Sequence, residues 1–309
     1  MSSAATTVGA GTPTKKRSKG LSEKRLAFLM VSPSMALIAL VAAYPILYGI
    51  WLSLHEYSVR VAGLSRWAEP FGLGNYQTAL TNSEFWNAMG ITLSFTFFSV
   101  VFEFLLGLAM AMAMHAAFKG QGLLRTVVLV PWAVLTVVTA IMWRTIFESP
   151  QGIVNAILGT DIVWLGGSPE ALIVIIIGDV WKTAPFMALL ILAGLQTIPS
   201  EIYEAAKVDG ATAWQRFVRI TLPLLKPALL VALIFRTLDA LRIFDLPFVL
   251  TKGAHGTTTL SLISYETFQT NRILGLGSAL AVLTFVIVMV VSFVYIRFVG
   301  GNIRGLAEE

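Results

Sequence analysis

The chain has 309 residues, of which 56% are hydrophobic and 13% are charged, and its mean hydropathy is +0.78. Soluble domains carry about 25% charged residues, so this composition excludes an ordinary soluble domain and indicates an integral membrane protein. Most of the net charge of +5 lies in an N-terminal run of Lys and Arg, so it does not indicate nucleic-acid binding. The absence of cysteine excludes disulfides and thiolate zinc sites.

The N-terminal segment, residues 1–26, is rich in Ser, Thr, Gly and Lys and is predicted to be a disordered basic tail. Six apolar stretches follow, each long enough to cross a hydrocarbon core about 30 Å thick. They lie at 27–54, 86–117, 123–146, 171–195, 224–250 and 276–300. We therefore predict an all-α integral membrane domain over 27–305 with six transmembrane helices.

The Lys and Arg residues of the connections indicate the orientation of these spans. One side carries the basic tail and Lys119, Arg125, Lys207, Arg216, Arg219, Lys226, Arg297 and Arg304. The other side carries Arg60, Arg66, Lys252 and Arg272. We predict that the richer side, with both termini, is cytosolic.

Ionisable side chains inside a span cost several kcal/mol unless they are paired or hydrated, so each is a candidate functional residue. Glu103 is isolated in the second span, where a buried pairing or a protonated acid is favoured over transport chemistry. The fourth span carries Asp179, Trp181, Lys182, Thr183 and Phe186. Aromatic faces and hydroxyl groups suit a sugar ligand. Ordinary packing, with Lys182 paired to a nearby acid, is an equally good interpretation.

The stretch EIYEAAKVDGATAWQRFVRITLP, residues 201–223, is unusually polar for a connection between two apolar spans. Ser200 is predicted to cap a helix over 201–208, and Asp209-Gly210 is a turn signal. Thr212 is predicted to cap a second short helix that Pro223 and Pro227 close. The expected result is a bent pair of cytosolic helices.

The second helix of this pair has an apolar face bordered by charge. Trp214, Phe217 and Val218 share that face by their spacing of three and four. Such a face either lies on lipid headgroups or docks into a groove of a partner, and the residues alone leave both open.

The fifth span contains Arg236, Asp239, Arg242 and Asp245, which alternate in sign at a spacing of three. A row of this kind cannot face lipid, and neighbouring charges in it can pair. It either lines a pathway or gate, or forms an ion-pair ladder that fixes the packing between helices.

The polar loop at residues 199–223 resembles the EAA loop of ABC importer permeases. The residues that carry this resemblance are Glu204-Ala205-Ala206, Asp209-Gly210-Ala211, Phe217, Ile220, Leu222-Pro223 and Pro227. Three further segments, at 71–80, 181–199 and 235–253, resemble sugar-importer permeases, most nearly the first permease subunit of trehalose- and maltose-type systems. The resemblance covers roughly residues 25–300, with a local departure at Thr251-Lys252-Gly253-Ala254-His255.

The resemblance implies a type I ABC importer permease fold in a bacterial or archaeal cell membrane, with loop 199–223 as the coupling helix pair. The coupling residues that it implies are Glu204, Ala205, Ala206, Asp209, Gly210, Trp214, Phe217, Leu222 and Pro223. It also implies a second permease subunit, a dimer of ATP-binding subunits and an extracytoplasmic solute-binding lipoprotein as partners. The substrate would be a disaccharide such as trehalose or maltose, or a similar oligosaccharide.

The sequence has no motif for nucleotide chemistry or hydrolysis. It lacks the P-loop pattern G-x-x-x-x-G-K followed by Ser or Thr, the H-E-x-x-H pattern and the G-x-S-x-G pattern. We therefore expect a transport subunit that binds no cofactor or metal, with ATP and Mg on the partner ATPase. Two alternatives stay open: an ion- or proton-coupled secondary carrier, and a permease for another polar solute such as a glycerophosphodiester.

Overall fold

The computed structural model describes residues 22–59, 71–116 and 119–299. Most of the predicted tail lies outside this part, so the boundary at residue 26 stays a prediction. The described part is helical and contains no strand, apart from an isolated bridge between His55 and Phe71. The chain divides into two units, the first ending at Tyr48 and the second beginning at Gly49.

The first unit is an apolar helix with a local change of pitch. Helix α1 (Glu23–Ile38) continues through a π-helical stretch at Ala39–Ala43 into α2 (Tyr44–Ser53), whose last residues belong to the second unit. The region Lys24–Ser53 is long and apolar enough to cross a membrane. Most apolar side chains of the first unit, from Leu26 to Leu47, are exposed, as expected for a helix whose natural surroundings are lipid or another chain.

The second unit contains the remaining helices. They are α3 (Gly74–Thr81), α4 (Ser83–His115), α5 (Gln121–Ala133), α6 (Thr136–Ile146), α7 (Ile153–Leu158), α8 (Glu170–Leu195), α9 (Ser200–Val208), α10 (Ala213–Arg216), α11 (Leu222–Ala240), α12 (Asp245–Leu250), α13 (Leu260–Tyr265) and α14 (Leu274–Val299). Five helical stretches of the described chain can each span a membrane, and α5 with α6 makes a sixth if this bent pair counts as one span.

The predicted third span is broken in the middle. Helices α5 and α6 meet at 90°. Val134 and Leu135 adopt extended backbone angles, with ψ of 138° and 136°. The break leaves main-chain carbonyls of α5 without helical partners, and at membrane depth such groups must find donors elsewhere in the protein.

The fifth span begins earlier than predicted. Helix α10, a π-helical stretch at Phe217–Thr221 and α11 form one continuous helix, so the prediction that Pro223 and Pro227 close a separate loop helix was wrong. The wider π turn lets the chain pass Pro223 without the N–H that proline lacks. The helix ends at Ala240, and α12 starts only at Asp245.

Small residues let the central helices approach closely. A Cβ on Gly107 of α4 would lie 2.7 Å from Met187 Cγ on α8, and a Cβ on Gly194 of α8 would collide with Ala228 of α11. Met187, Ile191 and Leu225 belong to the apolar core that these three helices share. Close backbone approach of this kind is the usual basis of helix packing in membranes.

Candidate functional sites: a buried ion cluster and the loop 199–223

Three spans meet at a buried ion cluster, defined as Ser99, Glu103, Asp179, Thr183, Arg236 and Asp239. The guanidinium of Arg236, whose side chain is 3% exposed, donates to the carboxylates of Glu103 on α4 and Asp179 on α8. Its Nη1 also donates to Asp239 Oδ2 at 2.8 Å. One Arg of α11 therefore ties together α4, α8 and its own helix.

Two hydroxyl groups complete the ion cluster. Ser99 Oγ lies 3.0 Å from Glu103 Oε1 and 2.5 Å from Asp179 Oδ2. Thr183 Oγ1 lies 2.6 Å from Glu103 Oε1 and 2.6 Å from the main-chain oxygen of Asp179. Sequence reasoning missed Ser99, although its position four residues before Glu103 places both side chains on one face of α4.

The members of the ion cluster differ in their access to solvent. The side chains of Glu103 and Asp179 are 0% and 5% exposed, whereas that of Asp239 is 67% exposed. The buried carboxylates are occupied by Arg236 and the hydroxyl groups, so they are not free to bind a solute. Asp239 keeps an exposed carboxylate at the edge of the ion cluster.

The structure separates the predicted row of four charges. Arg236 and Asp239 pair as their spacing suggested, but Arg242 and Asp245 lie beyond the end of α11, so the continuous row on one helix was wrong. Arg242 is exposed and its Nε donates to the Leu238 carbonyl at 3.2 Å. The residues between α11 and α12 form a turn, and Phe244 has a non-helical φ of −136°.

Lys182 donates to main-chain carbonyls of the broken span and forms no ion pair with an acid among the described residues. Its ammonium donates to the carbonyl oxygen of Val134, and that of Trp132 lies 3.4 Å away. A cation at the C-terminus of α5 also interacts favourably with the helix dipole. One turn further along α8, Phe186 stacks on Trp132, with ring centroids 5.8 Å apart and planes 14° apart.

Trp181 lies away from the ion cluster. It lines an apolar groove of about 900 Å³ between α4, the bent pair and α8, together with Phe98, Phe102 and Trp143. The rings of Trp143 and Trp181 meet edge to face at 6.0 Å. The structure therefore does not bring Trp181 together with Thr183, as a shared sugar site would require.

The loop 199–223 is a bent helix pair, as predicted. Helix α9 ends at a turn in which Gly210 has φ +79°, a backbone conformation that favours glycine. Thr212 and Gln215 form a reciprocal capping box at the start of α10. The predicted Ser200 cap was wrong, because Pro199 occupies the cap position and Ser200 is the first helical residue.

Internal hydrogen bonds brace this loop. The hydroxyl of Tyr203 lies 3.0 Å from that of Thr221, and Arg216 Nη1 donates to the Ala211 carbonyl at 2.9 Å. The two contacts join α9 and the turn to the base of the fifth span. The loop is thus held as one body.

The same loop presents an apolar surface to solvent. The side chain of Trp214 is 71% exposed and packs beside Phe217, with ring centroids 5.7 Å apart. Helix α9 has no buried residue, and Glu204 and Asp209 are exposed. An exposed Trp beside charges is typical of a docking surface.

A second pocket, of about 270 Å³, lies near the first residues of α4. Glu84, Asn87, Thr258 and Glu266 are among its lining residues. Burial, and then the charge of Glu84, raise the pKa of the Glu266 carboxyl. Among the described residues, no three His, Cys, Asp or Glu side chains are grouped as metal ligands.

Comparison with known families identifies the family of the chain. The family described as "Binding-protein-dependent transport system inner membrane component" matches residues 103–301, more than half of the chain. The chain belongs to this family. The permease is therefore a transport subunit of an ABC system that works with a solute-binding protein, and it is a multi-pass protein of the inner membrane.

Named relatives extend over nearly the whole permease. It is 42% identical over 285 residues to the trehalose transport system permease protein SugA of Mycobacterium tuberculosis (strain CDC 1551 / Oshkosh), covering 92% of each chain. It is 44% identical over 282 residues to the trehalose/maltose transport system permease protein MalF of Thermococcus litoralis, covering 89% of this chain and 94% of that one.

A solved structure shows the same fold. A chain of the bacterial alginate ABC transporter, crystallised with its alginate pentasaccharide-bound periplasmic protein, superposes with a TM-score of 0.77 at 22% identity. The match covers 89% of the permease and 93% of that chain. The predicted fold of an ABC importer permease is confirmed, and the family assignment favours an importer over a secondary carrier.

Proposed function

We propose that the permease imports a disaccharide such as trehalose or maltose, or a similar oligosaccharide. The observation that carries this proposal is the identity of 42% and 44% to trehalose and trehalose/maltose permeases over about nine tenths of the chain. A relative at 39% identity is named for sulfoquinovosyl glycerol, so another polar solute, including a glycerophosphodiester, is the second candidate.

We further propose that the loop 199–223 docks on an ATP-hydrolysing partner. The residues proposed to couple the two subunits are Glu204, Ala205, Ala206, Asp209, Gly210, Trp214, Phe217, Leu222 and Pro223. The exposure of Trp214 on an internally braced loop supports docking, because a surface that must transmit force needs both an apolar anchor and a fixed shape.

The proposed assembly contains a second permease, a pair of ATP-binding subunits and an extracytoplasmic binding lipoprotein. ATP and Mg are bound by the partner subunits, and this chain binds no cofactor. Both termini and the loop 199–223 face the cytosol in this arrangement, consistent with the excess of Lys and Arg on that side.

Among the pathway candidates, we propose Asp239 and Phe186 as the residues that can meet a solute. Asp239 has an exposed carboxylate, and Phe186 stacks on the half-exposed Trp132. Asp179 and Arg236 are buried in the ion cluster and Thr183 is half-buried there, and all three are proposed to fix helix packing. Asp239→Asn should therefore leave the yield of assembled complex unchanged and alter uptake, whereas a fall in yield would assign Asp239 to packing.

Uptake of radiolabelled trehalose tests the substrate. A strain that lacks the chain should not accumulate the label, and the plasmid-borne chain should restore accumulation that ATP depletion abolishes. Excess unlabelled maltose should compete, and glycerophosphodiesters should not. Competition by a glycerophosphodiester alone would replace the sugar assignment.

Affinity capture of the tagged chain should recover a P-loop ATPase and a second six-span protein, and recovery of a homo-oligomer would contradict the assembly.

A further inference from the structure

The ion cluster buries more acid than base. Glu103 and Asp179 are both almost fully buried, and both contact the one buried guanidinium of Arg236. A net charge left inside a span is costly, because nothing there replaces the lost hydration. If both acids were ionised, the buried part of the ion cluster would carry one uncompensated negative charge.

The neighbouring charged side chains do not supply a positive charge that would balance the second buried acid. Asp239, next to Arg236 on α11, is a further acid. Lys182 lies on α8, three residues after Asp179. Its ammonium, however, donates to the carbonyls of the broken span, and it makes no ion pair within 4.0 Å among the described residues. The compensating charge must therefore come from within the ion cluster.

The hydrogen bonds show that two hydroxyl protons are too few for the contacts observed. Ser99 has one hydroxyl proton and faces oxygens of both Glu103 and Asp179, at 3.0 and 2.5 Å. Thr183 has one hydroxyl proton and faces Glu103 Oε1 and a main-chain carbonyl, both at 2.6 Å. Neither the carbonyl nor an ionised carboxylate can donate. Four contacts therefore share two protons.

One additional proton, on Glu103 Oε1, supplies a donor for a third of the four contacts. Glu103 then donates to Thr183 Oγ1, Thr183 donates to the Asp179 carbonyl, and Ser99 donates to Asp179 Oδ2. These are the three short contacts, and the contact left without a proton is the longest, at 3.0 Å. Asp179 stays ionised, with Arg236 Nη2 and Ser99 as its donors.

We propose that Glu103 is a proton-binding site, in which one proton resides on its carboxyl group and makes the buried part of the ion cluster neutral. The proton is a fixed component of the packing between α4, α8 and α11, not a coupling ion that travels with the solute. The site is independent of the nature of the solute.

Matched amide substitutions test the proton. Glu103→Gln replaces a neutral acid by a neutral amide of the same shape, so the yield and heat resistance of the detergent-purified complex should stay within about twofold of wild type. Asp179→Asn removes the anion that balances Arg236, so the yield should fall about tenfold or more. Equal losses in the two variants would overturn the proposal.

Infrared spectroscopy provides a second measurement on the complex. The carbonyl stretch of a protonated carboxylic acid should appear in the difference spectrum between wild type and Glu103→Gln, and should shift in heavy water. Its absence from that difference spectrum would mean that Glu103 is ionised and would overturn the proposal.

A charge-balance experiment covers the case in which the single variants fail to assemble. Arg236→Met alone leaves the Asp179 anion unpaired. Adding Asp179→Asn should restore much of the yield if Glu103 already carries a proton. If Glu103 is ionised, Arg236→Met buries two unpaired anions and the double variant still buries one, so a double-variant yield that stays near that of Arg236→Met would overturn the proposal.

Discussion

Lys182 has a role that no sequence pattern indicates, because its partners are main-chain carbonyls 48 and 50 positions earlier in the chain. The break between α5 and α6 exposes these carbonyls, and the ammonium satisfies them. Unsatisfied buried acceptors cost about 1–3 kcal/mol.

We therefore expect Lys182→Met to lower the free energy of unfolding of the purified complex by about that amount, which should appear as earlier loss of the intact complex on heating. Lys226→Met, at an exposed position of α11, is the control and should leave the melting profile unchanged. An unchanged profile in Lys182→Met as well would mean that the carbonyls need no donor.

Gly210 is the residue at which backbone conformation alone should decide transport. No atom lies within 4 Å of an added Cβ, so substitution meets no steric clash. A β-branched residue at φ +79° nevertheless costs roughly 1–2 kcal/mol and favours another bend.

Gly210→Val should leave membrane insertion intact and reduce solute uptake to background. Gly159 has the same left-handed backbone and the same open surroundings at the end of α7, which makes Gly159→Val the matched control. Normal uptake by Gly210→Val would refute the coupling role of the loop.

At the residue scale, sequence spacing could predict only the local half of the ion cluster. Arg236 and Asp239 are three positions apart on one helix, so their pairing followed from helical geometry. Glu103 and Asp179 reach the same guanidinium from positions 133 and 57 residues away. Such partners depend on how spans pack, which one sequence does not determine.

The element scale shows where local signals hold and where they fail. The bent pair at 199–223 was predictable because turns and caps are local, and the Gly210 turn and the Thr212 cap both lie where their residue types suggested. The prediction that Pro223 and Pro227 close a separate loop helix was wrong because the chain passes through a π turn before Pro223 and stays helical, and residue propensities do not indicate such a turn. Hydropathy located the apolar stretch of the predicted third span and gave no sign of the 90° bend between α5 and α6.

Packing between α4 and α8 should depend on Gly107. A larger side chain there would press on Met187 and on the Ala188 backbone nitrogen, at 2.7 and 3.2 Å from the first added carbon. We expect Gly107→Leu to destabilise the complex by about 1–3 kcal/mol, seen as loss of intact complex on heating. Gly90→Leu, on the same helix with open space around it, should behave like wild type. Similar behaviour of the two variants would contradict close packing at Gly107.

At the scale of the whole molecule, the chain is suited to a direct test of its orientation because it contains no cysteine. A membrane-impermeant maleimide applied to spheroplasts should label Asp161→Cys, in the connection before α8. It should label Lys207→Cys, on α9, only after the membrane is permeabilised. Both positions are exposed, so burial does not account for a difference. Labelling of Lys207→Cys from outside would reverse the proposed topology.

The continuity of the helix from Ala213 to Ala240 makes it a lever arm. Trp214 stands near one end, and Arg236 is 22 residues further on, about 33 Å at the α-helical rise of 1.5 Å per residue. A rigid rod of this length that tilts by about 5° moves its far end by about 3 Å. A small rotation at the indole ring would therefore be carried along this one helix to the guanidinium that binds carboxylates of two other spans.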